Sequence, residues 1–317
     1  MSVPLVAQTS RHFTLHYSFV VKNVEQGKPI RVWFPIAHSG PYQDVHIVSV
    51  NGDLPLKQMK ETEYGNSLFY ATAKHADKDE YHFAVDYDVV RRKHRYIATS
   101  SVAPLSAGER TRLLQPDALV PVTGLPAELA AGAVHGDRSE MDKAHAIYEY
   151  VFENMRYDKS GTGWGRGDTL WACSAKRGNC TDFHSLFISM VRSQSIPARF
   201  EIGLPLPSDK SSGHIPGYHC WTEFYVDGKG WVPVDISEAW KDPSKREYFF
   251  GANDVDRVQF TVGRDLRLNP AQQGTSLNYF IYPYVEIDGK SWPNIDQDFS
   301  FEDAANGNRT ASMARTR

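Results

Sequence analysis

Residues 177–191, "RGNCTDFHSLFISMV", place a cysteine at the start of the clearest helical pattern in the chain. Apolar residues after Cys180 recur with helical spacing, and Pro197 predicts the end of this helix and the start of a strand. A helix start favours a thiolate, because its free backbone N–H groups and the helix dipole stabilise negative charge. Cys180 is therefore a candidate nucleophile. The alternative is a buried packing residue, which is the commonest role of a lone cysteine.

A hairpin further along the chain offers the partners that a nucleophilic thiolate needs. His219 opens its first strand in "HCWTEFYVDGKGWVPVDIS", and Asp235 lies on its second strand. A two-residue turn would put these side chains on opposite faces of the sheet, because faces alternate with a period of two. A three-residue turn, 227–229, restores them to one face and makes His219 the diagonal neighbour of Asp235. We therefore predict a base and an orienting carboxylate for Cys180.

These segments resemble a known family. Residues 178–203, "GNCTDFHSLFISMVRSQSIPARFEIG", residues 217–235, "GYHCWTEFYVDGKGWVPVD", and the spacing between them are similar to the transglutaminase-like superfamily. The resemblance covers roughly residues 140–240 and implies a papain-like core with a Cys-His-Asp triad. In that triad Cys180 would be the nucleophile, His219 the base and Asp235 the residue that orients the base.

The patterns along the chain predict an α+β protein. Residues 1–97 alternate apolar and polar positions between turn signals, which predicts an N-terminal antiparallel β-sandwich. Residues 98–134 contain four prolines, which favour a connector. We place the transglutaminase-like catalytic domain at 135–302, with its nucleophile helix packed on an antiparallel sheet. Residues 303–317 are expected to form a disordered tail.

The composition limits which classes of binding partner are expected. The net charge is −3, from 35 basic and 38 acidic residues, which argues against nucleic acid or an anionic membrane surface. No apolar stretch is long enough to span a bilayer. The N-terminus lacks a signal-peptide pattern, and both a cytoplasmic protein and a mature periplasmic or secreted chain remain open. We expect a protein or peptide substrate, and the oligomeric state is left open.

No cofactor and no metal are expected. The glycine-rich segment 157–179 departs from the dinucleotide fingerprint, and the three cysteines lack the paired spacing of a zinc site. A zinc site formed by Cys180, His219, Cys220 and Asp235 is the metal alternative. It is disfavoured because strand alternation turns Cys220 away from His219 and into the core.

Other residues near the motifs are weaker candidates for a role in the active site. His184 lies one turn after Cys180, and a hydrogen bond to nearby backbone is its expected role. The backbone N–H of Cys180 is a candidate oxyanion donor, and an indole of Trp164 or Trp171 could be the second, although packing of the loop is the favoured interpretation. Four aromatic residues could line a tunnel for an acyl or amine group: Tyr218, Trp221, Trp231 and Trp240.

The resemblance implies acyl transfer on protein or peptide amide bonds through a thioester on Cys180. We favour hydrolysis, as in a peptidase or amidase. The alternative is a transglutaminase that joins glutamine to an amine, and a further alternative is a catalytically silent binding or scaffold protein.

Overall fold

The computed structural model describes residues 9–97, 102–136 and 138–305. Two five-stranded antiparallel sheets pack face to face, and a four-stranded antiparallel sheet carries a layer of helices. The expected α+β class is therefore confirmed. No helix among the described residues combines the length and apolar character needed to cross a bilayer.

The first and sixth strands bury one face each, as their alternating pattern predicts. Tyr17 and Phe19 on the first strand meet Phe34 on the second at ring-centroid distances of 6.4 and 5.1 Å, and these rings join the two sheets of the sandwich. The strands are β1 (Ser10–Val21), β2 (Ile30–Pro35), β3 (Gln43–Gly52), β4 (Lys57–Lys60), β5 (Ser67–Ala73), β6 (Tyr81–Arg92) and β7 (His94–Arg95).

The middle of the chain builds the helical layer and its sheet. The helices are α1 (Ala107–Leu114), α2 (Leu125–Ala133), α3 (Glu140–Asn154), α4 (Thr169–Ala175), α5 (Cys180–Ser193) and α6 (Ile236–Lys241). The strands are β8 (Arg156–Tyr157), β9 (Arg177–Gly178), β10 (Ala198–Pro205), β11 (Ser212–His214), β12 (His219–Val226), β13 (Gly230–Val234), β14 (Ala252–Asn253) and β15 (Arg257–Val262). The sheet under the helices has the strand order β13-β12-β10-β15.

Helix α5 lies at the centre of this layer. All but the last of its residues are buried, because it packs against β12 on one side and against α2, α3 and α4 on others. Its apolar stripe therefore indicates only part of its buried surface. Ser189 and Arg192, which are polar, are buried with backbone partners at Pro121 and Ala198. The helix that carries Cys180 is thus held on every side.

The last strands of the chain return to the sandwich. They are β16 (Tyr284–Ile287), β17 (Lys290–Ser291) and β18 (Ile295–Asp303). Strand β18 pairs with β1 and β16 pairs with β2. The expected catalytic domain, 135–302, therefore includes strands that belong to the N-terminal sheets. Long-range pairing of this kind leaves no mark on local periodicity. Residues 306–317 of the expected tail lie outside the described residues, and Asp303 ends a strand.

The expected connector, 98–134, also contains regular structure. It includes α1 and α2, and α2 packs on α5 within the helical layer. Pro126 does not break a helix here, because it occupies the first turn of α2, where a missing N–H costs nothing. In the same way α4 interrupts the segment 157–179, which the glycines predict to be a loop, and Asp168 caps it.

A bulge in β10 brings two backbones unusually close. The pairing of β10 with β15 shifts register between Ile202 and Gly203, and a Cβ built at Gly203 would lie 1.8 Å from the carbonyl oxygen of Val258. We expect Gly203→Ala to lower the free energy of unfolding by about 3 kcal/mol, because the backbones must separate. Urea unfolding measures the change.

The matched control is Gly108→Ala. Gly108 lies in α1, and a Cβ added there would have no heavy atom of another part of the chain within 4 Å. Alanine should therefore change stability by less than about 1 kcal/mol, and in the stabilising direction. Equal unfolding midpoints for the two variants would contradict the close approach at Gly203.

Candidate active site

Cys180 is the first residue of α5, and the preceding turn is tightly capped. The Asn179 side chain accepts a hydrogen bond from the Thr181 N–H at 2.9 Å, and the Asp182 carboxylate accepts one from the Asn179 N–H at 2.9 Å. The Cys180 N–H has no intrahelical acceptor at this position. Its side chain is 2% exposed. The helix start therefore holds the thiol with one free backbone donor beside it.

The hairpin has the register that the sequence predicts. Val226 pairs with Gly230, which leaves the three residues 227–229 as the turn, and Gly228 has a φ of +71°. The His219 Nε2 atom lies 2.7 Å from Asp235 Oδ2. Strand β13 ends at Val234, so Asp235, which the sequence places on the second strand, follows that strand and is the N-cap of α6. The odd number of turn residues still directs its side chain toward His219.

Asp235 is fully buried and forms hydrogen bonds with other groups besides His219. Its Oδ2 also accepts a hydrogen bond from Arg257 Nη1 at 2.8 Å, while its Oδ1 accepts one from the Glu238 N–H at 3.1 Å and so caps α6. Burial raises the pKa of this carboxyl, but the charges of His219 and Arg257 outweigh it and hold the pKa well below its usual range. Asp235 is therefore a carboxylate. Arg257 lies on β15 and had no sequence signal.

His219 bridges Asp235 and Cys180. Burial alone would lower the pKa of this imidazole, but the carboxylate of Asp235 and the hydrogen bond to Cys180 raise it to about 9. Burial likewise would raise the pKa of Cys180, but hydrogen bonds from Cys220 and His219 and the charge on His219 lower it well below its usual value. A thiolate–imidazolium pair follows from these two shifts.

Cys220 lies in the core, as strand alternation predicts, but this core includes the nucleophile candidate. The Cys220 Sγ atom lies 3.7 Å from both Thr181 Oγ1 and His184 Nδ1, and its thiol hydrogen-bonds Cys180. Burial raises the pKa of Cys220. It therefore stays protonated and can donate to the Cys180 thiolate.

His184 is fully buried behind the same atoms. Its Nε2 accepts a hydrogen bond from the Ile236 N–H at 3.1 Å, which is the kind of backbone contact expected of it. Burial lowers the pKa of His184 to about 4, so the ring is neutral. It ties α5 to the start of α6 and thereby helps to place Asp235.

Comparison with known proteins relates the part of the chain that carries this site to a family. Residues 127–236 match the family model of the transglutaminase-like superfamily. These residues form a transglutaminase-like domain. The matched range begins within α2 and ends just after Asp235, so it contains every residue of the predicted triad.

Relatives extend the likeness beyond the transglutaminase-like domain. An uncharacterized protein of Haemophilus influenzae is 26% identical over 340 aligned positions, which cover 92% of this chain and 89% of that protein. YebA of Bacillus subtilis is 25% identical over 118 residues, which cover 33% of this chain and 16% of YebA. A crystal structure of a candidate cysteine protease from Cytophaga hutchinsonii matches with a TM-score of 0.57 at 17% identity, over 93% of this chain and 99% of that one. At this identity the match shows a shared fold.

Three tyrosines stand beside the start of α5 in the transglutaminase-like domain. Tyr218 Oη accepts a hydrogen bond from Asn179 Nδ2 at 3.0 Å and lies 2.8 Å from Thr181 Oγ1. The rings of Tyr279 and Tyr282 pack on Tyr218 at centroid distances of 5.4 and 5.9 Å. Tyr279 and Tyr282 lie outside the motifs, and sequence reasoning missed them.

The tryptophans have other partners. Trp221 donates its indole N–H to Glu201 Oε2 at 2.5 Å, and Trp231 lies under the guanidinium of Arg199 at 4.0 Å. Trp164 donates to the carbonyl of Gly161 at 3.1 Å, within its own loop. Their hydrogen bonds and packing therefore give these indoles structural roles, and of the four proposed tunnel residues Tyr218 contacts the cap of the Cys180 helix.

A cavity of about 180 Å³ opens beside His219. Its apolar lining consists of Pro205, Leu206 and Phe249. Its charged lining consists of four carboxylates and two cations: Glu238, Asp242, Asp254, Asp256, Lys245 and Arg257. The side of His219 that faces away from the core thus meets a polar, mainly acidic space.

The described part of the chain holds one group of three potential metal ligands within 4.8 Å of one another, formed by His145, Glu149 and Glu247. Arg246 forms an ion pair with Glu149, so this carboxylate already has a cation. The group shares no residue with the zinc alternative considered from the sequence.

Proposed function

We propose that this protein is a cysteine-nucleophile acyl-transfer enzyme that acts on amide bonds of proteins or peptides. The observation that carries the proposal is a buried chain of contacts. It runs from Cys180, at the start of helix α5, through His219 to Asp235. A lowered thiol pKa beside a raised imidazole pKa is the state in which a cysteine attacks a carbonyl. The transglutaminase-like domain supports the same assignment.

The reaction follows from the positions of these groups. The Cys180 thiolate attacks the amide carbonyl, and the free N–H of Cys180 donates to the developing oxyanion. His219 gives its proton to the departing amine, which leaves a thioester on Cys180. An incoming nucleophile then loses its proton to His219 and releases the acyl group. Asp235 keeps the ring oriented and stabilises its positive charge throughout.

Hydrolysis is the outcome we favour for the second half of the reaction. The cavity beside His219, which Cys180 does not line, has a mainly charged lining that water enters readily, so water can reach the imidazole. Water is then the acceptor, and the protein is a peptidase or an amidase.

The second candidate is transfer of the acyl group to an amine. Glu238 lies 3.9 Å from His219 Nε2, and three further carboxylates line the same cavity. Three of the four carboxylates, Glu238, Asp242 and Asp256, pair with Lys241, Lys245 and Arg11. Asp254 forms no ion pair among the described residues, and it would attract a protonated primary amine, which favours this second candidate.

Mass spectrometry of a glutamine-containing peptide pool, incubated with a primary amine and enzyme, tests the proposal. New peptide termini indicate a peptidase, conversion of glutamine to glutamate indicates an amidase, and amine adducts indicate a transferase. Each product should be absent with Cys180→Ala and present with Cys173→Ala, because Cys173 is remote from His219. Products that persist with Cys180→Ala, or no product with the wild type, would contradict the proposal.

A further inference from the structure

A second and larger cavity, of about 520 Å³, lies between the sandwich and the sheet of the transglutaminase-like domain. We call it the rear cavity. Five residues that carry its chemistry are Tyr42, Arg91, His94, Glu223 and Trp231. Glu223 follows Thr222 and precedes Phe224 on β12, and Phe224 packs toward α5 against Phe187. The rear cavity therefore lies on the opposite face of the sheet from the Cys180 helix.

Positive charge is in excess around the rear cavity. Its lining includes five cationic residues and two carboxylates, in a chain whose net charge is −3. The two carboxylates, Glu201 and Glu223, are both bound by Arg199, at 3.0 and 2.5 Å. His94 Nδ1 lies a further 3.0 Å from Glu223. Both carboxylates thus pair directly with Arg199, and among the described residues neither forms an ion pair with Arg91.

Arg91 is the residue that this arrangement leaves without a direct counter-ion within the described ranges. It is 2% exposed, and among the residues the structure describes its guanidinium makes one side-chain hydrogen bond, to Gln43 Oε1 at 3.2 Å, and no ion pair. Its Nε has no partner there. Burial, together with the charge of Arg257, lowers the pKa of Arg91 to about 10, so it remains charged at neutral pH. A buried charge without a counter-ion is costly.

His94, like Arg91, is a buried side chain with a nitrogen that lacks a partner. It is 2% exposed, and its Nε2 also lacks a partner within the described ranges. Its ring stacks on Tyr42 at a centroid distance of 3.5 Å. Trp231, half-buried, offers a second aromatic surface across the cavity. The unused Nε–H of Arg91 and an unpaired ring nitrogen of His94 are thus found in a cavity that also has aromatic walls.

We propose that the rear cavity binds a small organic carboxylate. Its anionic head would lie at Arg91, and an aromatic or other apolar body would pack against Tyr42 and Trp231. A carboxylate supplies the direct counter-charge that Arg91 lacks and an acceptor for its unused Nε–H. The site is separate from Cys180 and does not depend on the proposed reaction.

Isothermal titration calorimetry with N-acetyl-L-phenylalanine tests the site, and its neutral amide is the matched ligand. The titrations use the Cys180→Ala protein, so that no turnover contributes heat. We expect saturable one-to-one binding of the acid and at least tenfold weaker binding of the amide. Equal affinities for acid and amide, or no binding of the acid, would overturn the proposal.

Arg91→Met should weaken binding of the acid by at least about 30-fold, as expected for loss of a buried charged partner. Arg92→Met is the matched control, because Arg92 is the next residue on β6 and pairs with Asp44 outside the rear cavity. It should bind the acid as the parent does. If Arg91→Met does not fold, Trp231→Ala replaces it and should weaken binding at least fivefold. Unchanged affinity in the folded variant would place the ligand elsewhere and refute the proposal.

Discussion

Asp235→Asn should lower turnover in the peptide assay by about 10³- to 10⁴-fold, with little change in the position of the side chain. Asparagine can still accept the hydrogen bond from the Glu238 N–H that caps α6. It cannot hold the imidazolium of His219, since its amide carries no charge and can present an N–H to Nε2. Replacement of a triad carboxylate by its amide has an effect of this size in serine proteases.

The same substitution should also destabilise the fold. Arg257 is 3% exposed and lies 2.8 Å from Asp235 Oδ2, so the variant leaves its buried charge with the neutral Asn253 side chain and without its carboxylate partner. We expect the free energy of unfolding to fall by about 3 kcal/mol or more.

The double variant Asp235→Asn/Arg257→Met separates the two effects. Removal of the unpaired charge should recover much of the lost stability in urea unfolding, while turnover stays low. If turnover returned with stability, Asp235 would act only through the fold. Turnover of the single variant within tenfold of the wild type would contradict an orienting role.

At pH 6, iodoacetamide should label Cys180 about 10²- to 10³-fold faster than Cys173. Burial raises the pKa of Cys173 to about 11, whereas that of Cys180 is lowered well below its usual value. At pH 6 only about one Cys173 thiol in 10⁵ is ionised, and the weaker nucleophilicity of a low-pKa thiolate offsets part of the advantage of Cys180. Peptide mapping by mass spectrometry measures the sites in one sample, and Cys220 should also stay unlabelled.

The pKa shifts predict in which direction labelling of Cys180 and turnover change with pH. Labelling of Cys180 should fall only when acid protonates the thiolate below its lowered pKa. Turnover should in addition fall as the pH rises through about 9, because His219 then loses the proton that it gives to the leaving amine.

His219→Gln is the control for this pair. Without the imidazolium, burial dominates and raises the pKa of Cys180, so labelling at pH 6 should drop at least 100-fold and recover in alkali. Equal labelling of all three cysteines in the folded wild type would contradict a selectively activated thiol.

The sequence by itself determined the features that depend on neighbouring residues. Helical spacing predicted α5 and put Cys180 at its start. The length of the turn at 227–229 was enough to predict that His219 and Asp235 share a face. These features depend on backbone geometry over a few residues, which a local pattern records.

Only the tertiary structure decided which distant residues complete the site and the sheets. Arg257 reaches Asp235 from β15, and Tyr279 reaches Tyr218 from beyond the family match. Strand β18 closes the sandwich against β1, although nearly the whole chain separates them. These long-range contacts form because packed helices and sheets exclude water and because strands pair along their edges. The alternation of residues within one strand carries no information about which strand lies beside it.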